Sequence, residues 1–157
     1  MTPRIVLAFR AVYTVLVLNF FIPAISYIVM PQTTYQTIDQ VNRLLGGGPY
    51  PVVESGHLWH MLGTGNVFTL AFMCALLLVD LKRFYPVLPA LMFLKGFSAI
   101  YALCLGAAHG VPMFFAVFAL DGLSTLAMWF FATRAHRALY GAAVTAGERS
   151  FTAAAAA

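Results

Sequence analysis

Four long apolar runs constrain this chain more than any other feature of its sequence. They lie at about residues 6–29, 58–79, 87–108 and 111–133. Each is long enough to cross a hydrocarbon core of about 30 Å, which takes about 20 residues of helix. The runs are continuously apolar rather than alternating, which favours helices over a barrel. We therefore predict an all-α integral membrane protein with four transmembrane helices in an antiparallel up-down bundle, formed as one domain by the whole chain.

The composition excludes an ordinary soluble domain, since 62% of the residues are hydrophobic and only 9% are charged. The first run has one rival interpretation, a cleaved signal peptide with a cleavage site near Ala24. An apolar stretch of this length is far longer than the core of a signal peptide, so we expect it to stay as a membrane helix.

Positive charge sets the predicted orientation. Lysines and arginines cluster before the first run, between the second and third runs, and after the fourth: Arg4, Arg10, Lys82, Arg83, Arg134 and Arg137. Cytoplasmic loops carry such an excess, so both termini and the tail over residues 134–157 are predicted to be cytoplasmic. We expect a bacterial inner membrane. The high pI then reflects a basic membrane face and gives no argument for nucleic acid.

The one long connection, residues 31–57, contains a stretch with helical periodicity. Over residues 34–45, apolar side chains recur on one face while Asp39, Asn42 and Arg43 point elsewhere, and Gly46 is placed to end the helix. This predicts a short amphipathic helix. Two positions for it stay open: it could lie flat at the membrane interface, or it could cap the outer end of the bundle.

Lys95 and Asp121 are the only charged residues deep inside the apolar runs. The third and fourth runs predict a helical hairpin that turns near His109 and Gly110, so the two charges fall at nearly the same depth, close to the bilayer midplane. A charge at that depth costs about 3 kcal/mol or more, so it needs a partner or a task. We expect the two side chains to pair.

Other polar residues lie at a similar depth in the membrane. Asn19 and Asn66 each come roughly 10 Å below the outer surface at the helical rise per residue, and Ser98 shares the helix face of Lys95. These three residues and the charged pair form a predicted polar layer. Three interpretations stay open. The layer is a structural ion pair with amide hydrogen bonds between helices, or it is a proton relay, an ion path or a polar anchor for a ligand such as a quinone head, or one of its charges pairs with a neighbouring subunit.

A stripe of small residues explains how the third and fourth helices could approach. Ser98, Ala102 and Gly106 recur every four residues on one face of the third helix. Such spacing lets two membrane helices pack closely. The sequence therefore predicts a helix-packing surface that carries Lys95 towards Asp121.

Several histidines fall on the predicted outer face. Glu54, His57 and His60 are spaced three residues apart where the long connection enters the second helix, and His109 lies in the other outer turn. Imidazole and carboxylate groups are metal ligands, so this set is a candidate for a metal or cofactor site. No established metal or haem motif is present. The alternative is that these are ordinary histidines of the membrane interface.

No catalytic motif appears in the chain. Small size and aromatic-rich helices predict a non-enzymatic accessory or scaffolding subunit of a larger membrane complex, for example an electron-transfer complex of respiration or photosynthesis. Two alternatives stay open: a small transporter or proton-coupled carrier that uses Lys95 and Asp121, and a quinone-, haem- or metal-binding membrane protein that uses the outer histidines. The expected partners are the lipid bilayer and other membrane protein subunits. The sequence does not identify a cofactor.

Overall fold

Nearly all of the residues that the structure describes are helical. The structure, a computed structural model, describes the backbone of residues 3–50 and 57–155 and the side chains of residues 3–50 and 61–141. Within these ranges there is no strand, and four helices are long and apolar enough to cross a membrane. The predicted class, an all-α protein with four membrane-spanning helices, is confirmed to this extent.

The described residues form six α-helices. They are α1 Arg4–Val29, α2 Pro31–Leu44, α3 His57–Val79, α4 Leu81–Phe84, α5 Leu88–His109 and α6 Pro112–Ala155, and a 3-10 turn over Tyr85–Val87 separates α4 from α5. The four long helices α1, α3, α5 and α6 correspond to the four apolar runs. α6 continues well past residue 133, where the predicted span ended, so the basic segment expected as a tail begins as a continuation of the helix.

Local chemistry explains where the helices begin and end. Met30 leaves the helical region (φ −137°, ψ 60°) because the ring of Pro31 disfavours a helical residue before it. Pro31 then starts α2, where a missing N–H costs nothing. Asp80 caps α4 by accepting hydrogen bonds from the backbone N–H groups of Lys82 and Arg83. Gly110 ends α5 in the left-handed conformation that favours glycine.

The helices pack as two closely matched pairs, α5 with α6 and α1 with α3, and α1 also packs against α6. Buried aromatic and aliphatic side chains fill the centre. Tyr13 of α1 is fully buried, and its hydroxyl donates to the backbone carbonyl of Met128 in α6 at 3.0 Å. This bond ties the two pairs together.

α3 and α5 touch each other only sparsely, although a short link joins them. A link this short generally makes the two helices that it joins close antiparallel neighbours. The link instead contains α4 and the 3-10 turn, which separate the two helices, and the main packing face of α3 is taken by α1. Connection length therefore predicted the α5–α6 contact but not this one.

Candidate functional site

Lys95 and Asp121 lie in direct contact between α5 and α6. The Lys95 Nζ donates to Asp121 Oδ1 at 2.5 Å, and the two side chains are only 11% and 13% exposed. A pair this well buried is weakly screened by solvent, so each charge depends on the other.

The second carboxylate oxygen of Asp121 is also occupied. Ser98, one turn along α5 from Lys95, donates its hydroxyl proton to Asp121 Oδ2 at 2.7 Å. On the other side, the ammonium of Lys95 lies 4.7 Å from the centre of the Phe20 ring of α1. A cation over an aromatic face is attracted by the ring's negative face. Three helices thus supply partners to one ion pair.

The backbone next to the pair is held as well. The carbonyl of Asp121 accepts hydrogen bonds from the hydroxyls of Ser124 at 2.9 Å and Thr125 at 2.7 Å. Both donors lie on the helix face of Asp121. We call Lys95, Asp121, Ser98 and Phe20 the charge cluster. Both carboxylate oxygens of Asp121 and the ammonium of Lys95 have partners inside the protein, which suits a structural element better than an open ion path.

Asn19 and Asn66 lie outside the charge cluster. Both side chains are exposed on the surfaces of α1 and α3, and neither finds a hydrogen-bond partner among the described residues. Successive residues of a helix point about 100° apart, and in α1 it is Phe20, the next residue, that faces Lys95. Asn66 misses the cluster because α3 makes little contact with α5. The five-residue polar layer is therefore not gathered at one place.

The small-residue stripe of α5 faces α6. Ala102 is 5% exposed and Gly106 is buried. A Cβ on Gly106 would come within 3.1 Å of the Phe115 ring of α6. The missing side chain thus lets an aromatic residue lie directly on the α5 backbone. Ser98 belongs to the same stripe but contributes a hydrogen bond rather than close packing.

Asn42 is the most important residue that the sequence reasoning missed. It is 1% exposed. Its Nδ2 donates to the carbonyl of Gly48 at 2.8 Å, and its Oδ1 accepts from the backbone N–H of Met113 at 3.0 Å. The second bond satisfies a donor in the first turn of α6, which has no partner inside the helix. Asn42 thereby ties α2 to the start of α6. Its only sequence signal is an asparagine on the predicted polar face of an amphipathic helix.

Asp39 holds the segment that follows α2. Its Oδ1 accepts from the backbone N–H of Tyr50 at 2.7 Å, and its Oδ2 pairs with Arg43 at 2.8 Å. The hydrogen bond from Tyr50, with a smaller contribution from Arg43, lowers the pKa of Asp39 below its ordinary value. We call α2 and residues 45–50 the cap.

The predicted histidine site lies mostly outside the described residues. Glu54 falls in the undescribed segment, and of His57 and His60 only the backbone in α3 is described. His109 is exposed at the end of α5. Among the residues that the structure describes, no three potential ligands come together for a metal ion. The fourth histidine, His136, stacks on Tyr85 at 4.0 Å.

Comparison with known proteins finds no family model, no curated protein and no solved structure that matches this chain.

Proposed function

We propose that this protein is a non-enzymatic subunit of a larger complex in the bacterial inner membrane, such as an electron-transfer complex. Its four long helices would span the bilayer, and α1 would contact a helix of another subunit. The observation that carries the proposal is the exposed amide of Asn19. Hydrocarbon offers no hydrogen bonds, so an unpaired amide in a spanning helix costs free energy that a neighbouring protein can recover.

The backbone adds to the polarity at Asn19. Pro23 lies inside α1 and has no N–H, so the Asn19 carbonyl lacks its usual helical hydrogen bond. Asn19 stands ten residues before the end of α1 at Val29, about 15 Å along the helix. An amide and an unpaired carbonyl at one point of a spanning helix form a recognition element for a donor and an acceptor on a partner helix.

Asn66 supports the same interpretation on α3. It is exposed, as is Thr69 in the next turn. The Thr69 hydroxyl, however, donates to the carbonyl of Gly65 within its own helix at 2.8 Å and needs no outside partner. Thr69 therefore has a hydrogen-bond partner in its own helix, whereas the Asn66 side chain has none among the described residues.

The charge cluster supports a structural role over the transporter alternative. A carrier site must release its ion or proton and rebind it. Both oxygens of Asp121 already have partners, and its neighbours Lys95 and Ser98 are committed to it. The cluster is better suited to fixing the register of α5 against α6.

Purification in a mild detergent tests the proposal. A subunit is expected to migrate with other proteins, whereas an isolated 17.1 kDa monomer would contradict it. A photo-crosslinking residue at position 19 should then capture a neighbouring protein in native membranes. The same residue at Leu18, which is 51% exposed and points to a different side of α1, is the matched control.

Substitution of the two amides tests the chemistry. Asn19→Leu and Asn66→Leu should each weaken co-purification of the partner by about threefold, since interhelical hydrogen bonds in membranes average about 0.6 kcal/mol. Thr69→Val removes a polar group that is satisfied within its own helix and should leave the complex intact. Equal loss in all three variants would argue against a partner at the amides, and capture of this chain alone would indicate a homo-oligomer.

A further inference from the structure

A cavity of about 210 Å³ lies between α5 and α6, towards the turn at Gly110. Its wall includes Ser98 and Leu105 of α5, Phe114 and Val117 of α6, and Tyr50 of the cap. From Leu105 to Ser98 is seven residues, so the cavity reaches about 10 Å along α5. It ends beside the charge cluster.

Ser98 gives the deep end of the cavity its chemistry. Its hydroxyl proton is donated to Asp121 Oδ2. A hydroxyl has one donor and two acceptor lone pairs, so Ser98 can still accept a hydrogen bond but has no second proton to give. The carboxylate polarises this hydroxyl and makes it a better acceptor. The deep end therefore favours a ligand that donates.

The charges beside the cavity cancel. Lys95 and Asp121 neutralise each other at 2.5 Å, and most of the residues along the wall are apolar. An ionic ligand would lose its hydration without finding a free countercharge. The site thus selects against charged molecules.

Tyr50 forms the roof. Its ring centre lies 5.9 Å from that of Phe114, and its backbone N–H is held by Asp39. The hydrogen bonds of Asn42 to Gly48 and to Met113 fix the cap over the same helix ends. Aromatic rings at the roof favour a flat ligand, which they can cover by stacking.

We propose that this cavity binds a neutral, single-ring aromatic alcohol, a phenol or the quinol head of a membrane lipid, with its hydroxyl donating to Ser98. The volume of about 210 Å³ is large enough for a single ring, because a dry cavity of about 150 Å³ in another protein holds benzene. The proposal goes beyond the subunit role and does not depend on it: a monomeric protein could bind the ligand, and a subunit could lack it.

Equilibrium dialysis with the full chain in nanodiscs tests the proposal. The probes are 4-propylphenol, a prenylated benzoquinol kept reduced, and propylbenzene, which lacks the hydroxyl. Empty nanodiscs measure partition into lipid. Saturable binding of 4-propylphenol or the benzoquinol, about fivefold tighter than that of propylbenzene, is the expected result, since one neutral hydrogen bond is worth about that factor. Which of the two binds more tightly identifies the source as a free phenol or a lipid-borne quinol.

Three variants locate the binding. Val117→Phe fills the cavity and should abolish saturable binding, and Leu105→Phe gives a second filling variant in case the first does not fold. Ser98→Ala should weaken the phenol about fivefold and leave propylbenzene unchanged. Ser124→Ala is the matched control, because it also removes a hydroxyl bonded to Asp121 but its side chain does not line the cavity.

The proposal is overturned if neither hydroxyl probe binds the wild-type protein above empty nanodiscs. It is equally overturned if a folded filling variant binds as the wild type does, or if Ser98→Ala and Ser124→Ala behave alike. Helical circular dichroism and thermal unfolding of each variant establish folding before binding is measured.

Discussion

At the scale of single residues, the charge cluster shows how a membrane protein can keep an ion pair between apolar helices. Asp121 has one oxygen on the Lys95 ammonium and the other on the Ser98 hydroxyl. The Phe20 ring covers the cation from α1. Each charged atom is desolvated only where another group replaces the lost water, which is the condition under which a buried pair is tolerated.

Substitutions at the pair should therefore be strongly non-additive. Lys95→Met alone leaves an unpaired buried carboxylate and should lower the free energy of unfolding by about 3–5 kcal/mol. Lys95→Met combined with Asp121→Leu replaces both charges by apolar groups and should be close to neutral. Unfolding in mixed micelles by increasing dodecyl sulfate measures both.

The same double variant distinguishes a structural role of the ion pair from a role in transport. A structural pair permits normal assembly without either charge, whereas a carrier would fold and lose flux. Additive losses in the two single variants would show that Lys95 and Asp121 do not depend on each other.

At the scale of elements, the cap is a small structure held by side-chain bonds to backbone. Asn42 bonds to the backbone of Gly48 and Met113, and Asp39 bonds to that of Tyr50. Of the two positions open for the amphipathic helix, these bonds favour the cap over a helix that lies free in the interface. An interfacial helix needs no buried asparagine.

Adjacent glycines give a sharp test of the cap. A Cβ on Gly47 would lie 2.5 Å from the Nδ2 of Asn42, while a Cβ on Gly48 would meet nothing within 4 Å. Gly47→Ala should displace Asn42 and cost about 1–3 kcal/mol through its lost buried hydrogen bonds. Gly48→Ala should be nearly neutral. The rate of limited proteolysis within residues 31–50 is compared between the two variants. Equal rates of cleavage would mean that Asn42 does not hold the cap.

The cap should also loosen in acid. The hydrogen bond from Tyr50 lowers the pKa of Asp39 below its ordinary value of 3.8. A carboxyl group with a lowered folded-state pKa stabilises the fold fully above the unfolded-state pKa, and this contribution is lost as the pH falls through the folded-state value. Amide exchange at Tyr50 should therefore lose protection below about pH 4, beyond the intrinsic change in exchange rate. In Asp39→Asn this additional loss should be absent.

At the scale of the whole molecule, the long helices form two tight pairs that meet through α1 and α6. The α3–α5 side is the loosest of the bundle. Exposed apolar side chains cover the outer surfaces, among them Phe72, Phe93 and Leu120 at 63–71% exposure. Such surfaces suit lipid or the helices of other subunits, and in water they would aggregate.

The orientation that we propose from the basic residues can be measured. In a chain with Cys74 and Cys104 replaced by alanine, a single cysteine is introduced at Gln36 or at Lys82, both exposed positions. A membrane-impermeant maleimide should label Gln36→Cys in cells with a permeable outer envelope and Lys82→Cys only after lysis. The reverse pattern would place the termini outside, and labelling of both would argue against a spanning topology.

The sequence by itself determined the class of protein and the positions of its long helices, because continuous apolar length is a local property that needs no knowledge of packing. It also indicated that Lys95 and Asp121 fall at one depth, since depth follows from the count of residues along each helix. It could not set the rotation of each helix, which depends on its neighbours. That is why Phe20 rather than Asn19 faces the charges, and why Asn66 lies on an exposed surface.

Only the tertiary structure decided what α2 does. The bond from Asn42 to Met113 joins residues 71 positions apart, and no periodicity along the chain encodes such a contact. The cavity beside Ser98 has the same origin, because it is the space left where α5, α6 and the cap meet. Local chemistry made the helices, and the way they pack against one another made the charge cluster, the cap and the cavity.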